Sequence, residues 1–262
     1  MTITLYEHVL SPYAQRVKIA LREKGLPFEV ALPGGLGAGG AGGDFAQANP
    51  RAEVPVLIDD DVSVFDSTII LEYIEDNWPT PPLLPHGAAE RARVRMIEEV
   101  MDTHYEAINW AMGEINWFQR AQGELAQQLT DTAARQTRGF FSWLEKQLGD
   151  RDWFNGHGFG WGDLCVIPFV GGSVGVGNRP DAGTKLADWL DRALARPSVA
   201  QTIAESRAFD RGTSNVAEAV AAGLFKREYR DHRLEWMLKS GGLDIVLKGL
   251  AADNIRFAPD FE

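Results

Sequence analysis

The residues best suited to chemistry form a short turn, Ser11-Pro12-Tyr13-Ala14. The turn follows an apolar run over residues 3–8 that is typical of a β-strand, and it begins an amphipathic helical pattern that continues to about Lys24. A hydroxyl at the start of a helix lies beside backbone N–H groups that have no partner within the helix, at the positive end of the helix dipole. The turn is therefore predicted to stabilise an anion.

The elements around this turn predict a small α/β unit. A helix over residues 12–24 lies between strands at 3–8 and 27–32, and this spacing implies a parallel pair with a right-handed crossover. Two further strands, at 56–58 and 62–65, flank three aspartates and predict a hairpin, and a helix follows from Asp66-Ser67 to Trp78. The glycine-rich stretch over 34–43 lacks the Lys-Ser or Lys-Thr of a phosphate-binding loop, so we interpret it as a flexible surface loop.

The rest of the chain is predicted to be helical. Prolines interrupt the pattern and indicate a linker over 79–87. Amphipathic stretches follow at 89–119, 125–148, 161–170, 184–195 and 198–208, with further helical patterns at 216–225, 228–239 and 243–252. We therefore divide the chain into an α/β domain (1–78), the linker, an all-helical domain (88–212) and a helical extension (213–262).

Charge and composition narrow the class of protein. The 262 residues carry a formal net charge of −11, which argues against nucleic acid or an anionic membrane as a partner. The single cysteine, Cys165, excludes an internal disulfide. The five histidines show no spacing typical of metal ligands, so no metal site is predicted. Because there is no N-terminal signal pattern and no apolar run of membrane-spanning length, the sequence predicts a cytoplasmic protein.

Four motifs carry a resemblance to a known family. The turn at 11–14 resembles the Cys-Pro-Tyr-Cys turn of glutaredoxins without its two sulfurs. Together with the segments 49–55, 65–67 and 159–163, it resembles the glutathione S-transferase superfamily over residues 1–208. The resemblance implies an α/β N-terminal thioredoxin-like domain (βαβ-ββα) and an all-α C-terminal helical domain. It also implies a Ser-type enzyme, similar to the theta, zeta and omega classes, with glutathione as co-substrate.

The resemblance assigns the glutathione thiol to the Ser11 turn. Ser11 lies at the position of the catalytic serine of the theta and zeta classes, so its hydroxyl would donate to the sulfur. A free thiol titrates at roughly 8.5, and one charge-assisted hydrogen bond with a helix end would lower that pKa by roughly one to two units. Tyr6 and Tyr13 are alternative donors, and a helix cap without further function is the alternative for Ser11 itself.

The remainder of glutathione is assigned to two segments. Asp66 and Ser67 would hold the γ-glutamyl carboxylate at a helix N-terminus. A cis peptide at Val54-Pro55 would present the Val54 backbone to the cysteinyl part, like an added strand. Arg51 would meet the glycyl carboxylate. Glu53 departs from the Gln or Lys of many classes, and its carboxylate would repel the glycyl carboxylate unless it is directed away.

The second substrate is predicted to lie between the two domains. The helical pattern after residue 89 is rich in aromatic and methionine side chains, which favours an apolar, aromatic electrophile, although such a stripe is also typical of a helical core. The stretch 159–161 and the long tail resemble bacterial enzymes of lignin aryl-ether breakdown, so ether cleavage and epoxide opening are candidate reactions. The tail is expected to cover the site. The pocket is assigned to Tyr13, His104, Tyr105, Ile108 and Trp110.

Three other residues are interpreted as structural. Arg16 is expected to form an ion pair with the linker or the second domain, Asp163 to cap the helix that begins at Trp161, and Cys165 to lie in the core. The resemblance also implies a homodimer through the third helix of the first domain and the long helices of the second. The alternative to an enzyme is a non-catalytic module of the same fold that binds a protein.

Overall fold

The N-terminal domain is built on a four-stranded sheet in the order β2-β1-β3-β4. The computed structural model describes residues 3–34, 43–210, 216–224, 229 and 231–254. Strands β1 (Ile3–Tyr6) and β2 (Phe28–Ala31) run parallel, whereas β3 (Val56–Asp59) pairs antiparallel with both β1 and β4 (Val62–Phe65). Helices α1 (Pro12–Glu23) and α3 (Ser67–Asn77) pack against each other. The predicted parallel pair, the hairpin and the thioredoxin-like class are therefore confirmed.

A short helix, α2 (Gly43–Ala48), has no counterpart in the sequence prediction. Its Phe45 is buried, with its ring centroid 5.5 Å from that of Tyr6. Helices this short gain their stability from tertiary packing and not from local propensity, so the sequence pattern alone does not reveal them. Residues 35–42 of the predicted flexible loop lie outside the described residues.

The first long helix of the second domain is interrupted. The pattern over 89–119 predicts one helix, but the chain forms α4 (Ala88–Val100), a π-helical turn (Met101–Tyr105) and α5 (Glu106–Asn116). Such a turn inserts a residue into the helical repeat and changes which side chains share a face. A periodicity argument assumes an unbroken repeat, which is why it misses this turn.

The other helices surround one that is buried on all sides. α7 (Trp161–Gly175) is apolar around its circumference and packs against both α1 and α4, as a helix without a polar face must, so the amphipathic pattern predicted over 161–170 is wrong. Cys165 lies fully buried within it, as expected, and burial raises the pKa of its thiol. The remaining helices of this domain are α6 (Gly123–Leu148), α8 (Lys185–Leu194) and α9 (Pro197–Asp210).

Asp163 organises the start of α7, as predicted. Its carboxylate accepts the backbone N–H groups of residues 154, 155 and 160, and the indole N–H of Trp189 at 2.8 Å. Burial raises the pKa of Asp163 to about 6, although these hydrogen bonds act to lower it. A Cβ at Gly160 would collide with the Leu83 carbonyl oxygen and the Asn155 side chain, so this backbone leaves no room for a larger residue.

The linker is fixed to the first domain by one carboxylate. Glu75 of α3 accepts the backbone N–H groups of Leu83 and Leu84 at 3.0 Å, and its Oε2 lies 2.5 Å from the Lys24 ammonium. These contacts satisfy linker N–H groups that would otherwise be buried without a partner. The orientation of the second domain is thereby tied to α1 and α3.

The described part of the tail contains three short helices, α10 (Val216–Ala221), α11 (His232–Lys239) and α12 (Leu243–Ala251). The predicted boundary at Thr213 and the tail residue Phe225 lie outside the described residues. Several large apolar side chains of the tail are exposed, among them Trp236 and Ile245. None of the described helices combines the length and the apolar character needed to span a membrane.

Candidate functional site

Ser11 is the N-cap of α1. Its backbone is extended, and its Oγ accepts the Ala14 N–H at 3.3 Å. Ser11 is half-buried, and among the described residues its hydroxyl donates to no other group. A serine that accepts at its oxygen can still donate its hydrogen. The turn therefore presents an O–H donor at the positive end of the helix dipole, as the sequence predicts.

The two rival tyrosines both pack against other residues, and the hydroxyl of Tyr13 has a partner. The Tyr13 hydroxyl donates to the Asp102 backbone carbonyl oxygen at 3.1 Å, and its ring packs edge-on against Phe169 at 5.9 Å between centroids. The Tyr6 ring packs against Phe45 of α2. Tyr13 thus joins α1 to the π-helical turn, and this contact competes with any donation to a ligand.

Ser67, at the N-terminus of α3, is held by a buried arginine of α1. The Arg16 Nη2 donates to the Ser67 Oγ at 2.5 Å, and both side chains are buried. Arginine can only donate, so the Ser67 oxygen is the acceptor and its own hydrogen is left for a different partner. Asp66 precedes it as the N-cap, accepting the Thr68 N–H at 3.0 Å. This end of α3 therefore combines an oriented hydroxyl with a positive helix end.

Arg16 joins the two domains, as predicted. Its guanidinium lies 2.8 Å from Asp102 and 3.1 Å from Glu98 of α4. Burial opposes the charge of Arg16, but the coulombic effect of its acidic neighbours, foremost Asp102, outweighs burial and raises the pKa. Burial also raises the pKa of Asp102 to about 6, although Arg16 lowers it.

The carboxylates around Arg16 were not singled out from the sequence. Glu98 and Asp102 are four residues apart, and this helical spacing of two acids is the signal that could have identified them. Glu98 also accepts the Trp161 indole N–H at 2.5 Å and the Thr68 hydroxyl at 2.7 Å. The cluster thus connects α1, α3, α4 and α7 directly behind Ser67.

Arg51 and Glu53 pair with each other. The Arg51 Nη2 lies 2.7 Å from the Glu53 Oε2, and its Nη1 lies 3.5 Å from the Asp66 Oδ2. The Glu53 carboxylate is therefore directed at Arg51, which it partly neutralises. The neighbouring Val54–Pro55 peptide is cis, as expected, and Val54 is half-buried.

The residues assigned to a second-substrate pocket divide into two groups. His104 and Trp110 are half-buried on the π-helical turn and α5, whereas Tyr105 and Ile108 are buried. The fully buried Tyr105 packs in the core of the helical domain, 4.8 Å from Phe140 between centroids, with its hydroxyl 2.8 Å from the Ser173 Oγ. The π-helical turn directs Tyr105 into the core, which corrects its assignment as a pocket residue.

The tail reaches the helical domain at Trp110. The Tyr229 ring packs edge-on against Trp110 at 4.6 Å between centroids, and the Arg120 guanidinium lies 5.9 Å from the Tyr229 ring centroid. A cation over an aromatic face adds to such a contact. One tail residue therefore contacts a residue that the sequence assigned to the pocket.

Both domains match family models. Residues 5–82 match the model described as glutathione S-transferase, N-terminal domain, and residues 116–192 match the model for the C-terminal domain of the same family. Together these segments cover more than half of the chain.

Individual relatives extend the similarity. Glutathione S-transferase U28 of Arabidopsis thaliana is 30% identical over 203 residues, which cover 75% of this chain and 86% of that protein. The LigF protein of Sphingobium sp. (strain NBRC 103272 / SYK-6) is 27% identical over 250 residues, covering 80% and 96% of the two chains. The crystal structure of rice GST1 (OsGSTU1) in complex with glutathione superposes with a TM-score of 0.68 at 26% identity, over 83% of this chain and 96% of that one.

Proposed function

We propose, because the chain belongs to the glutathione S-transferase family, that it activates the thiol of glutathione at Ser11 for attack on an apolar, aromatic electrophile. The observation that carries the proposal is the Ser11 hydroxyl at the N-terminus of α1, which accepts from Ala14 and retains its hydrogen for a ligand. Glutathione is the co-substrate, and its presence in the similar rice structure supports this.

The reaction proceeds by nucleophilic substitution or addition. The bound thiol loses its proton to solvent, and the Ser11 hydroxyl and the α1 dipole stabilise the resulting thiolate. The sulfur then forms a bond to an electrophilic carbon, while the leaving group departs or an epoxide C–O bond opens and takes up a proton. Holding both reactants in one site contributes through proximity. Aryl-ether cleavage and epoxide opening are the reactions we propose to test first.

The remaining contacts follow from the charges of glutathione. The Ser67 hydroxyl, with its oxygen already occupied by Arg16, donates to the γ-glutamyl carboxylate at the N-terminus of α3. The Val54 backbone pairs with the cysteinyl part, and Arg51 meets the glycyl carboxylate. Tyr13, His104 and Trp110, which are half-buried, border the electrophile together with Ile108, which at 8% exposed still reaches the surface, unlike Tyr105 at 0%.

The alternative function is a non-catalytic module that binds a protein, and the exposed tail side chains of Trp236 and Ile245 favour it. One experiment separates the two functions. Retention on immobilised glutathione, together with a thiolate absorbance of bound glutathione near neutral pH, is expected for the enzyme. Turnover of an aryl-ether and epoxide panel then identifies the electrophile. A protein that neither binds glutathione nor shows the thiolate band would refute the proposal.

Replacing Glu53 with glutamine is expected to lower the KM for glutathione by roughly twofold to fivefold, the scale of one solvated ion pair. The change removes the carboxylate that lies 2.7 Å from Arg51, so that the guanidinium, apart from its 3.5 Å contact with Asp66, is left for the glycyl carboxylate. The KM is measured by steady-state kinetics in which the glutathione concentration is varied. Asp191→Asn removes the partner of Arg179 on the surface and serves as the control. An unchanged or higher KM for Glu53→Gln would contradict the predicted repulsion.

A homodimer is expected at micromolar concentration. Ile69 of α3 and Met96 of α4 are large apolar side chains exposed on the two helical regions that we expect to form the interface. Light scattering of the wild type should give twice the chain mass, and Ile69→Asp should shift the equilibrium toward the monomer. A monomeric wild type would refute the prediction. Trp78, which follows α3, is half-buried against Tyr73 and adds little exposed apolar surface to this face.

Deleting residues 213–262 is expected to change the KM for the electrophile more than the KM for glutathione. The reason is the contact of Tyr229 with Trp110 at the proposed pocket. Tyr229→Ala should reproduce the direction of the effect with a smaller size, while Trp236→Ala, an exposed tail aromatic, serves as the control. Equal changes in both KM values, in a folded variant, would count against a tail that covers the electrophile.

A further inference from the structure

His8 binds two backbone N–H groups of the turn that carries Ser11. The Ser11 N–H donates to the His8 carbonyl oxygen at 2.8 Å, closing a turn over residues 8–11. The Leu10 N–H donates to Nδ1 of the His8 ring at 3.3 Å. Between them, the Val9 carbonyl oxygen accepts the Gln15 side-chain amide at 2.8 Å. The backbone that directs Ser11 is therefore held by side chains as well as by the turn itself.

The His8 ring is fixed on another side by the helical domain. Phe209, in the last turn of α9, lies 5.1 Å away between ring centroids with the two planes at 80°, an edge-to-face contact. Burial lowers the pKa of His8, so the ring is neutral near pH 7. In the neutral ring an accepting Nδ1 carries no proton, so the hydrogen bond from Leu10 requires this form.

The direction of the Ser11 hydroxyl depends on this turn. A hydrogen bond weakens steeply as its angle departs from linearity, so a small rotation of the turn reduces the stabilisation of a thiolate. Ser11 is otherwise tied only to α1, where its Oγ accepts the Ala14 N–H at 3.3 Å and its carbonyl oxygen accepts the Gln15 N–H at 2.9 Å, among the described residues. The contacts of His8 are thus the nearest restraint on the turn from outside α1.

We propose that His8 is a positioning residue for Ser11. Its Nδ1 and carbonyl oxygen hold the turn in the orientation that directs the Ser11 hydroxyl at the thiol, and its ring, through Phe209, links that orientation to α9. The inference rests on the proposed function, because its consequence for the reaction requires Ser11 to contact the glutathione sulfur. The proposal implies that the packing of α9 against the His8 ring affects the orientation of the Ser11 hydroxyl.

Two substitutions separate the parts of His8. His8→Phe keeps an aromatic ring for Phe209 but removes the acceptor for the Leu10 N–H. His8→Asn removes the ring but places an amide oxygen where Nδ1 lies. We expect His8→Phe to lower kcat roughly threefold to tenfold, the scale of one neutral hydrogen bond, and to raise the pKa of bound glutathione. His8→Asn should restore most of that loss, and Phe209→Leu should cause a smaller loss in the same direction.

The measurements are kcat, the KM for glutathione, the bound-thiol absorbance against pH, and amide hydrogen exchange of Leu10 in the ligand-free protein. Leu10 exchange that is faster in His8→Phe and returns to the wild-type rate in His8→Asn would show that the His8 side chain restrains the turn, even without glutathione. An unchanged exchange rate overturns it. A second outcome would also overturn the proposal. If Leu10 exchange changes as expected but the pKa of bound glutathione is the same in the wild type and in His8→Phe, the turn does not direct Ser11, and His8 is not a positioning residue. Failure of the wild type to bind glutathione would instead refute the proposed function, and the exchange data would still decide the hold on the turn.

Discussion

Ser11→Ala is expected to lower turnover with glutathione by roughly 10- to 100-fold, the loss of one charge-assisted hydrogen bond to a thiolate. The Ser11 hydroxyl is the donor at the N-terminus of α1, and alanine keeps the helix while removing it. The pKa of bound glutathione, measured from thiolate absorbance against pH, should rise. Because less thiolate then exists near neutral pH, kcat should fall more than the affinity for glutathione.

Controls separate the donor from the helix cap. Alanine at an N-cap costs about 1 kcal/mol of stability, so unfolding must be measured beside kinetics. Ser11→Thr keeps both a hydroxyl and a cap and should recover most of the activity, while Ser63→Ala, on the exposed face of β4, should have no effect. If Ser11→Ala leaves turnover and the bound-thiol pKa unchanged, Ser11 is only a helix cap, and Tyr6, Tyr13 or backbone N–H groups must be tested as donors.

Ser11→Cys should convert the chemistry. A cysteine at a helix N-terminus has a lowered pKa and is nucleophilic as the thiolate. It should attack a glutathione mixed disulfide, forming a protein–glutathione disulfide and releasing the other thiolate, and a second glutathione should then restore the cysteine by forming oxidised glutathione. Conjugation should fall, because two thiolates repel each other. A variant that gains no thiol transfer would show that the turn does not stabilise a thiolate at this position.

Arg16→Met is expected to lower the free energy of unfolding by about 3–5 kcal/mol, the cost of removing one partner from a buried ion pair. The buried Glu98 and the half-buried Asp102 would be left without their cation, and Ser67 would lose the donor that orients it. The midpoint of denaturant unfolding measures the loss, provided that the slope stays constant. In the folded fraction, the KM for glutathione should rise as well.

Two comparisons make the Arg16 prediction specific. Arg179→Met breaks an exposed pair with Asp191 and should cost less than about 1 kcal/mol. Combining Arg16→Met with Glu98→Gln and Asp102→Asn removes the stranded charges and should recover part of the lost stability. An Arg16→Met variant as stable as Arg179→Met would mean that the cluster contributes little to joining the domains.

The sequence predicts local features of the site well. Ser11 as an N-cap, Asp66 and Ser67 at the start of α3, and the β3–β4 hairpin depend on neighbouring residues and on short-range periodicity. Arg16 was expected to form an ion pair with the linker or the second domain, and the structure places it against Glu98 and Asp102 of the second domain. Its partners could not be named, because they lie more than eighty positions away along the chain.

By itself the sequence determined the order of the four strands, the helices that follow β1 and β4, and the cap at Ser11, because each follows from residues close together in the chain. Only the tertiary structure decided that Arg16 occupies the Ser67 oxygen, that Arg51 pairs with Glu53, and that Tyr105 belongs to the core. The π-helical turn at 101–105 illustrates the physical reason. Packing against α7 and the contacts of Asp102 with Tyr13 and Arg16 of α1 select which side chains of this turn face the site. Such contacts join distant segments, and no local pattern encodes them.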